Sequence, residues 1–134
     1  MSLVLTIPAP DVPLTANDRM HFRRKAEVTR NWRLRAALLA RHEKPIERAH
    51  VTYYVSHGDQ HNRRRDAANW YPTVKAALDG CVDAGLLADD DDRHIVGPDP
   101  RLGPVTQGFV LRLVLDPDCR CKDCVPLARA AAGL

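Results

Sequence analysis

The stretch NWYPTVKAALDGCVDAG, residues 69–85, fixes the middle of the fold. Asn69 is a residue type that caps helices, and Pro72 fits a first helical turn because the earliest backbone N–H groups have no intrahelical partner. Val74, Leu78, Cys81 and Val82 repeat at helical spacing and mark a buried stripe, with Cys81 as a small core residue. Lys75, Asp79 and Asp83 stand at i, i+4 and i+8, so they emerge together on one face. Gly85 ends the helix as a left-handed cap. Downstream, Asp89-Asp90-Asp91-Asp92 leads to a short strand, His94 to Val96, and a Gly/Pro-rich turn. A last strand follows from Val105 to Leu115, with Phe109, Leu111, Leu113 and Leu115 on one side.

Upstream of residue 69 lies a polar, basic loop from His57 to Arg65, whose His57 and His61 would face DNA or solvent. Before it, Ile46 to Val55 is rich in β-branched and aromatic residues and reads as a strand. Glu27 to His42 reads as a helix with Val28, Trp32, Leu34, Leu38 and Leu39 as its apolar positions and Arg30, Arg33 and Arg41 off the buried face. Residues 11–25 form a loop, and Leu3 to Ile7 a first strand closed by Pro8-Ala9-Pro10. The order strand, helix, strand, helix, strand, strand predicts an α+β domain over residues 1–116, a small mixed sheet packed with two main helices. Residues 117–134 read as an appended tail.

The whole chain has 134 residues, 45% hydrophobic and 28% charged, which suits one domain with a modest core and excludes a polyelectrolyte. No apolar run has transmembrane length, and the N-terminus lacks a basic leader, so the expectation is a cytoplasmic protein with reduced cysteines and no membrane partner. The net charge of +3 hides a segregation. From Arg19 to Arg65, 13 Lys/Arg stand against 4 Asp/Glu; from Asp66 to Asp99, 8 Asp stand against Lys75 and Arg93. A basic block beside an acidic one points to a polyanion-binding surface next to carboxylates, with a divalent metal between acids and phosphates. Asn17, Arg19, Arg23, Arg24, Lys25, Arg63, Arg64, Arg65 and Asn69 supply donors for DNA phosphates.

Four consecutive aspartates raise one another's pKa unless a cation neutralises them. An all-oxygen set suits Mg²⁺, with Mn²⁺ as a substitute, and metal-assisted phosphodiester hydrolysis is the chemistry it favours. Asp66, at the junction between the basic loop and the helix, could project into the same cleft.

The string Arg64-Arg65-Asp66-Ala67-Ala68-Asn69, then Lys75 to Asp79, then Asp91-Asp92-Arg93-His94-Ile95, resembles the RusA family of Holliday-junction resolvases. That family shows R-D-x-D-N, a Lys, an Asp four residues later, and D-D-x-x-[VI] beyond the helix. Ile7-Pro8-Ala9-Pro10 with Asn17 is similar to its opening. The resemblance spans roughly residues 3 to 115, its specific part 64 to 95. It implies a crossover-junction endodeoxyribonuclease of recombination or repair, bacterial or phage-encoded, in which a homodimer uses Mg²⁺ to nick a four-way DNA junction symmetrically, without a nucleotide cofactor. Asp66, Lys75, Asp91 and Asp92 would be catalytic, and Asp66, Asp90, Asp91 and Asp92 would hold metal. Two departures stand out: Ala68 occupies the place of the second motif aspartate, and five residues separate Asn69 from Lys75 where the family has two. The first suggests that Asp89 or Asp90 replaces the missing ligand. The alternatives are a structure-selective or general Mg²⁺-dependent nuclease, a catalytically impaired DNA-binding module, and a structural protein whose Asp run binds Mg²⁺ or Ca²⁺ for stability.

Cys119, Cys121 and Cys124 place three thiols within six residues, but the tail supplies no fourth ligand of its own. A flexible tail without metal is the preferred reading over a zinc site completed by a distant His, Cys or partner chain.

Overall fold

The computed structural model describes residues 2–58 and 67–133, apart from the side chain of Ala131. Along the chain lie β1 (Leu3–Pro8), α1 (Phe22–Ala40), β2 (Ala49–Ser56), a 3₁₀ turn (Ala67–Trp70), α2 (Tyr71–Asp83), β3 (Ile95–Leu102), β4 (Val110–Asp116) and α3 (Cys124–Ala131). This is an α+β arrangement on one four-stranded mixed sheet of order β1-β4-β2-β3. The β1–β4 and β4–β2 pairs are antiparallel and β2–β3 is parallel. No described helix is long and apolar enough to cross a membrane.

Strand alternation builds the core. Tyr53 lies opposite Leu113, which lies opposite Leu5, and Val55, Leu111 and Ile7 form the next row. These side chains are buried with Val28, Trp32, Ala36 and Ala40 of α1 and Val74, Ala77, Leu78 and Cys81 of α2. Both long helices therefore cover one sheet face. Successive strand residues point to opposite sides, so His50, Thr52 and Tyr54 face the other way.

Four expectations need correction. Helix α1 starts at Phe22, inside the expected loop, because the His21 side chain accepts a hydrogen bond from the Arg23 N–H (3.2 Å) and caps it. Its buried stripe uses Ala36 and Ala40, while Leu34 and Leu38 are 56% and 42% exposed; the small alanines let α2 approach closely. Asn69 does not cap α2, since a 3₁₀ turn ends at Trp70 and α2 starts without a side-chain cap, with Pro72 in its first turn. Strand β3 runs on through Gly97-Pro98-Asp99-Pro100, expected as a turn, because an edge strand tolerates prolines on its unpaired side. Gly85 does adopt the left-handed conformation, at φ +80°.

Residues 9–21 are fastened to both helices. The Trp32 indole N–H donates to the Val12 carbonyl (2.9 Å), and the buried Thr73 hydroxyl accepts from Leu14 N–H and donates to Leu14 C=O, each at 2.7 Å. Asp11 accepts from Asn31 (2.9 Å) and from the Arg24 guanidinium (2.7 Å). Asn17 is thus carried on a segment anchored at the N-terminal turn of α2.

Candidate functional site

Lys75 leaves the exposed side of α2 and is held by Asp79 at 2.8 Å and by Asp90, from the loop after the helix, at 2.6 Å. Those two bonds, Asp79's first, raise the lysine's pKa. The bond from Lys75 in turn holds Asp90 below its ordinary range. Asp91 is bonded by His94 Nδ1 at 2.5 Å and by Arg93 at 3.0 Å, and its pKa falls to about 2, chiefly through His94. Asp89 accepts the Asp90 N–H (2.8 Å), and Asp92 is exposed. Asp90 and Asp91 therefore behave opposite to the expectation of mutual repulsion. Asp90 and Asp91 turn to different cations of the chain itself, and among the described residues the acids do not converge as a ligand group. Asp83 is likewise taken by Arg33 of α1 (2.5 Å), a pairing across the basic and acidic blocks.

At the N-terminal end of α2, a cleft of about 390 Å³ is lined by Thr15, Asn17, Asn69 and Trp70. The Ala16 N–H donates to the Asn69 carbonyl (2.9 Å), which locks the two asparagine-bearing segments together. Trp70 packs its ring against Phe109, 5.0 Å between centroids, and its buried indole N–H has no acceptor among the described residues. His57 is half-buried with its ring 6.3 Å from that of Trp70. Of the expected phosphate-binding residues, Arg19, Arg23 and Lys25 are exposed, whereas Arg24 is engaged by Asp11 and Glu27. Arg30 and Arg35 add further exposed positive charge on α1, without a salt bridge among the described residues. Asp66, Arg63, Arg64, Arg65 and His61 lie outside the described residues.

The C-terminal segment corrects the expectation of a flexible tail. Cys124 N–H and Val125 N–H both donate to the Cys121 carbonyl, at 3.0 and 3.1 Å, and this turn starts α3. Cys119, Cys121 and Cys124 thereby gather around one atom, Nδ1 of His50 on β2, at 3.3, 3.5 and 3.3 Å. The four ligand atoms lie within 4.8 Å of one another, a group that could hold a metal ion. The other ring nitrogen, Nε2, is 2.6 Å from Asp99. The bulge that carries Gly97 makes this possible. It adds one residue to β3 between the His50–Val96 and Thr52–Asp99 pairs, which brings Asp99 onto the His50 side of the sheet. Gly97 is needed there, since its φ is +97° and a Cβ would sit 2.5 Å from the Val51 carbonyl oxygen. Burial would depress the His50 pKa, but the bonds to Asp99, Cys119 and Cys121 override it and raise the value to about 9. Cys121 falls to about 7, first through its bond with Cys124.

No protein-family model matches the chain, and no curated protein matches it either. Sequence reading missed His50 and Asp99 as members of a site. Three closely spaced thiols were the only local signal, and the fourth member of the cluster is set by strand register, since Asp116, three residues before Cys119, pairs with His50.

Proposed function

We propose that the chain is a Mg²⁺-dependent endodeoxyribonuclease that resolves four-way DNA junctions. The reading rests on the sequence motif, and the observation that carries it furthest is the assembly around α2. Asn17 and Asn69 share one cleft at its start, and Lys75 reaches both Asp79 and Asp90 from its exposed side. Residues far apart in sequence are thereby gathered on one helix and the loops at its two ends.

Carboxylate oxygens are the donors a hard cation takes, and a bound Mg²⁺ would draw Asp90 from Lys75 and Asp91 from His94 and Arg93. Asp90 and Asp91 have lowered pKa values and are anionic at neutral pH, as Mg²⁺ ligands must be. Asp66, Asp90, Asp91 and Asp92 would hold the ion, which when bound polarises a phosphate and acidifies a water. Lys75 brings a positive charge to offset the negative charge developing on the phosphate oxygens. Arg19, Arg23, Lys25 and Arg30 bind backbone phosphates, and two copies match the two-fold symmetry of the junction.

The test is cleavage of a labelled four-way junction and of a matching linear duplex, with Mg²⁺ or a chelator, by wild type and Asp66→Asn. Paired symmetric nicks in the junction alone, lost with the substitution and with chelation, are expected. Salt-sensitive binding without cleavage would contradict the nuclease reading and favour a DNA-binding module, with Ala68 at the motif position as its cause. Equal cleavage of junction and duplex would reduce the proposal to a general nuclease.

A further inference from the structure

The three sulfurs around His50 pose a problem that hydrogen bonding does not solve. One imidazole nitrogen carries a single lone pair or a single proton, so it satisfies one thiol, yet three sulfurs stand 3.3 to 3.5 Å from Nδ1. A tetrahedral ion with metal–sulfur bonds of about 2.3 Å and a metal–nitrogen bond of about 2.0–2.1 Å has N···S edges of about 3.5 Å. The observed separations lie within about 0.3 Å of those edges. The space beside them, walled in part by His50, Cys119, Cys124 and Leu127, is about 10 Å³, scarcely one water-sized particle.

We infer that His50 Nδ1 and the thiolates of Cys119, Cys121 and Cys124 bind one structural Zn²⁺ ion that fastens the C-terminal segment to the sheet. Soft sulfur donors with one imidazole in a tetrahedral array select zinc over the hard cations proposed for the aspartates. Four protein ligands close the coordination sphere and leave no position for a reacting water, so the ion serves the fold. Binding releases the thiol protons and the proton on His50 Nδ1, leaving the imidazole neutral with its remaining proton on Nε2 donated to Asp99. The site lies on the sheet face opposite α1 and α2. Helix α3 has eight residues, well short of the roughly 12–15 that make an isolated helix even marginal in water, and it packs only sparsely on the other elements. The metal supplies the attachment that apolar packing does not. This inference stands independently of the nuclease proposal.

The test uses the full chain, purified in reducing buffer without chelator. Elemental analysis should find one zinc per chain. After replacement by Co²⁺ alone, visible absorption should show thiolate charge transfer and the intense ligand-field bands of tetrahedral cobalt. His50→Cys should retain one equivalent of zinc, and the pair Cys121→Ser with Cys124→Ser should abolish uptake. Asp99→Asn should weaken zinc affinity by about 10–100-fold. Folded wild-type protein that takes up no zinc or cobalt would overturn the inference, as would octahedral cobalt absorption. Uptake unchanged in the double serine variant would do the same.

Discussion

The acidic loop and the C-terminal turn both crowd ligand-type side chains into a few residues, and their structures diverge. In the loop each engaged carboxylate has its own donor partners: Asp90 has Lys75, and Asp91 has His94 and Arg93. In the turn three sulfurs share a single nitrogen. Density of ligands is therefore a poor guide to a metal centre. What distinguishes one is convergence that the protein's own donors and acceptors leave unsatisfied. Lys75 is already shared by Asp79 and Asp90, so a metal at the loop would compete with it, whereas in the turn one nitrogen stands against three sulfurs.

Lys75 offers the largest way to break this contrast. If it acts on phosphate, Lys75→Met should lower the junction-cleavage rate on the order of 10²–10³-fold. Unchanged cleavage would leave Lys75 as a mere counter-ion of Asp79 and Asp90. Removal of zinc should free the C-terminal segment. Limited trypsin digestion should then cut at Arg120, Lys122 and Arg129 many times faster while the remainder of the chain resists; equal rates with and without zinc would deny the attachment.

The segment that carries Asn17 offers a stability test. Thr73→Val strands the buried Leu14 N–H, and a cost of about 1–3 kcal/mol is expected in denaturant unfolding. A loss below about 0.5 kcal/mol would show that this anchor is dispensable.

Smaller effects sharpen the balance of the acidic loop. The folded pKa of Asp90 lies below its ordinary 3.8, so its pairing with Lys75 stabilises above that pH and is lost as pH falls through the lowered value. Because Lys75 is 44% exposed, the contribution is at most about 1 kcal/mol. Asp90→Asn should therefore flatten the acid limb of a stability–pH curve and change little near neutrality. Smallest of all, Lys25→Ala should reduce the slope of log affinity for DNA against log salt by about 1.

Much of the fold was legible because α2 and the strands carry clean periodicities. The buried set Leu111, Leu113 and Leu115 and the left-handed Gly85 follow directly from residue type and spacing. Other features depended on tertiary context. His21 is not a residue type that announces a helix start, and the prolines of β3 read as a turn until the strand is known to lie at the sheet edge. The two sites split in the same way. Lys75 and Asp79 are neighbours on a helix and could be paired by spacing alone. His50 lies 69 residues before Cys119, and only the β2–β4 register and the β3 bulge bring His50, the cysteines and Asp99 together.

The central claim is that this chain keeps a thiolate–imidazole centre for its architecture apart from a carboxylate–lysine face for its chemistry. Zinc content and Mg²⁺-dependent junction cleavage, measured side by side on Asp91→Asn and on the Cys121→Ser, Cys124→Ser double variant, test it most directly. The account predicts that Asp91→Asn keeps one zinc and loses cleavage, while the double serine variant loses zinc and keeps cleavage within about tenfold, a change of about 1.4 kcal/mol. Loss of zinc in Asp91→Asn, or abolition of cleavage by the serine substitutions in protein that remains folded, would contradict the separation.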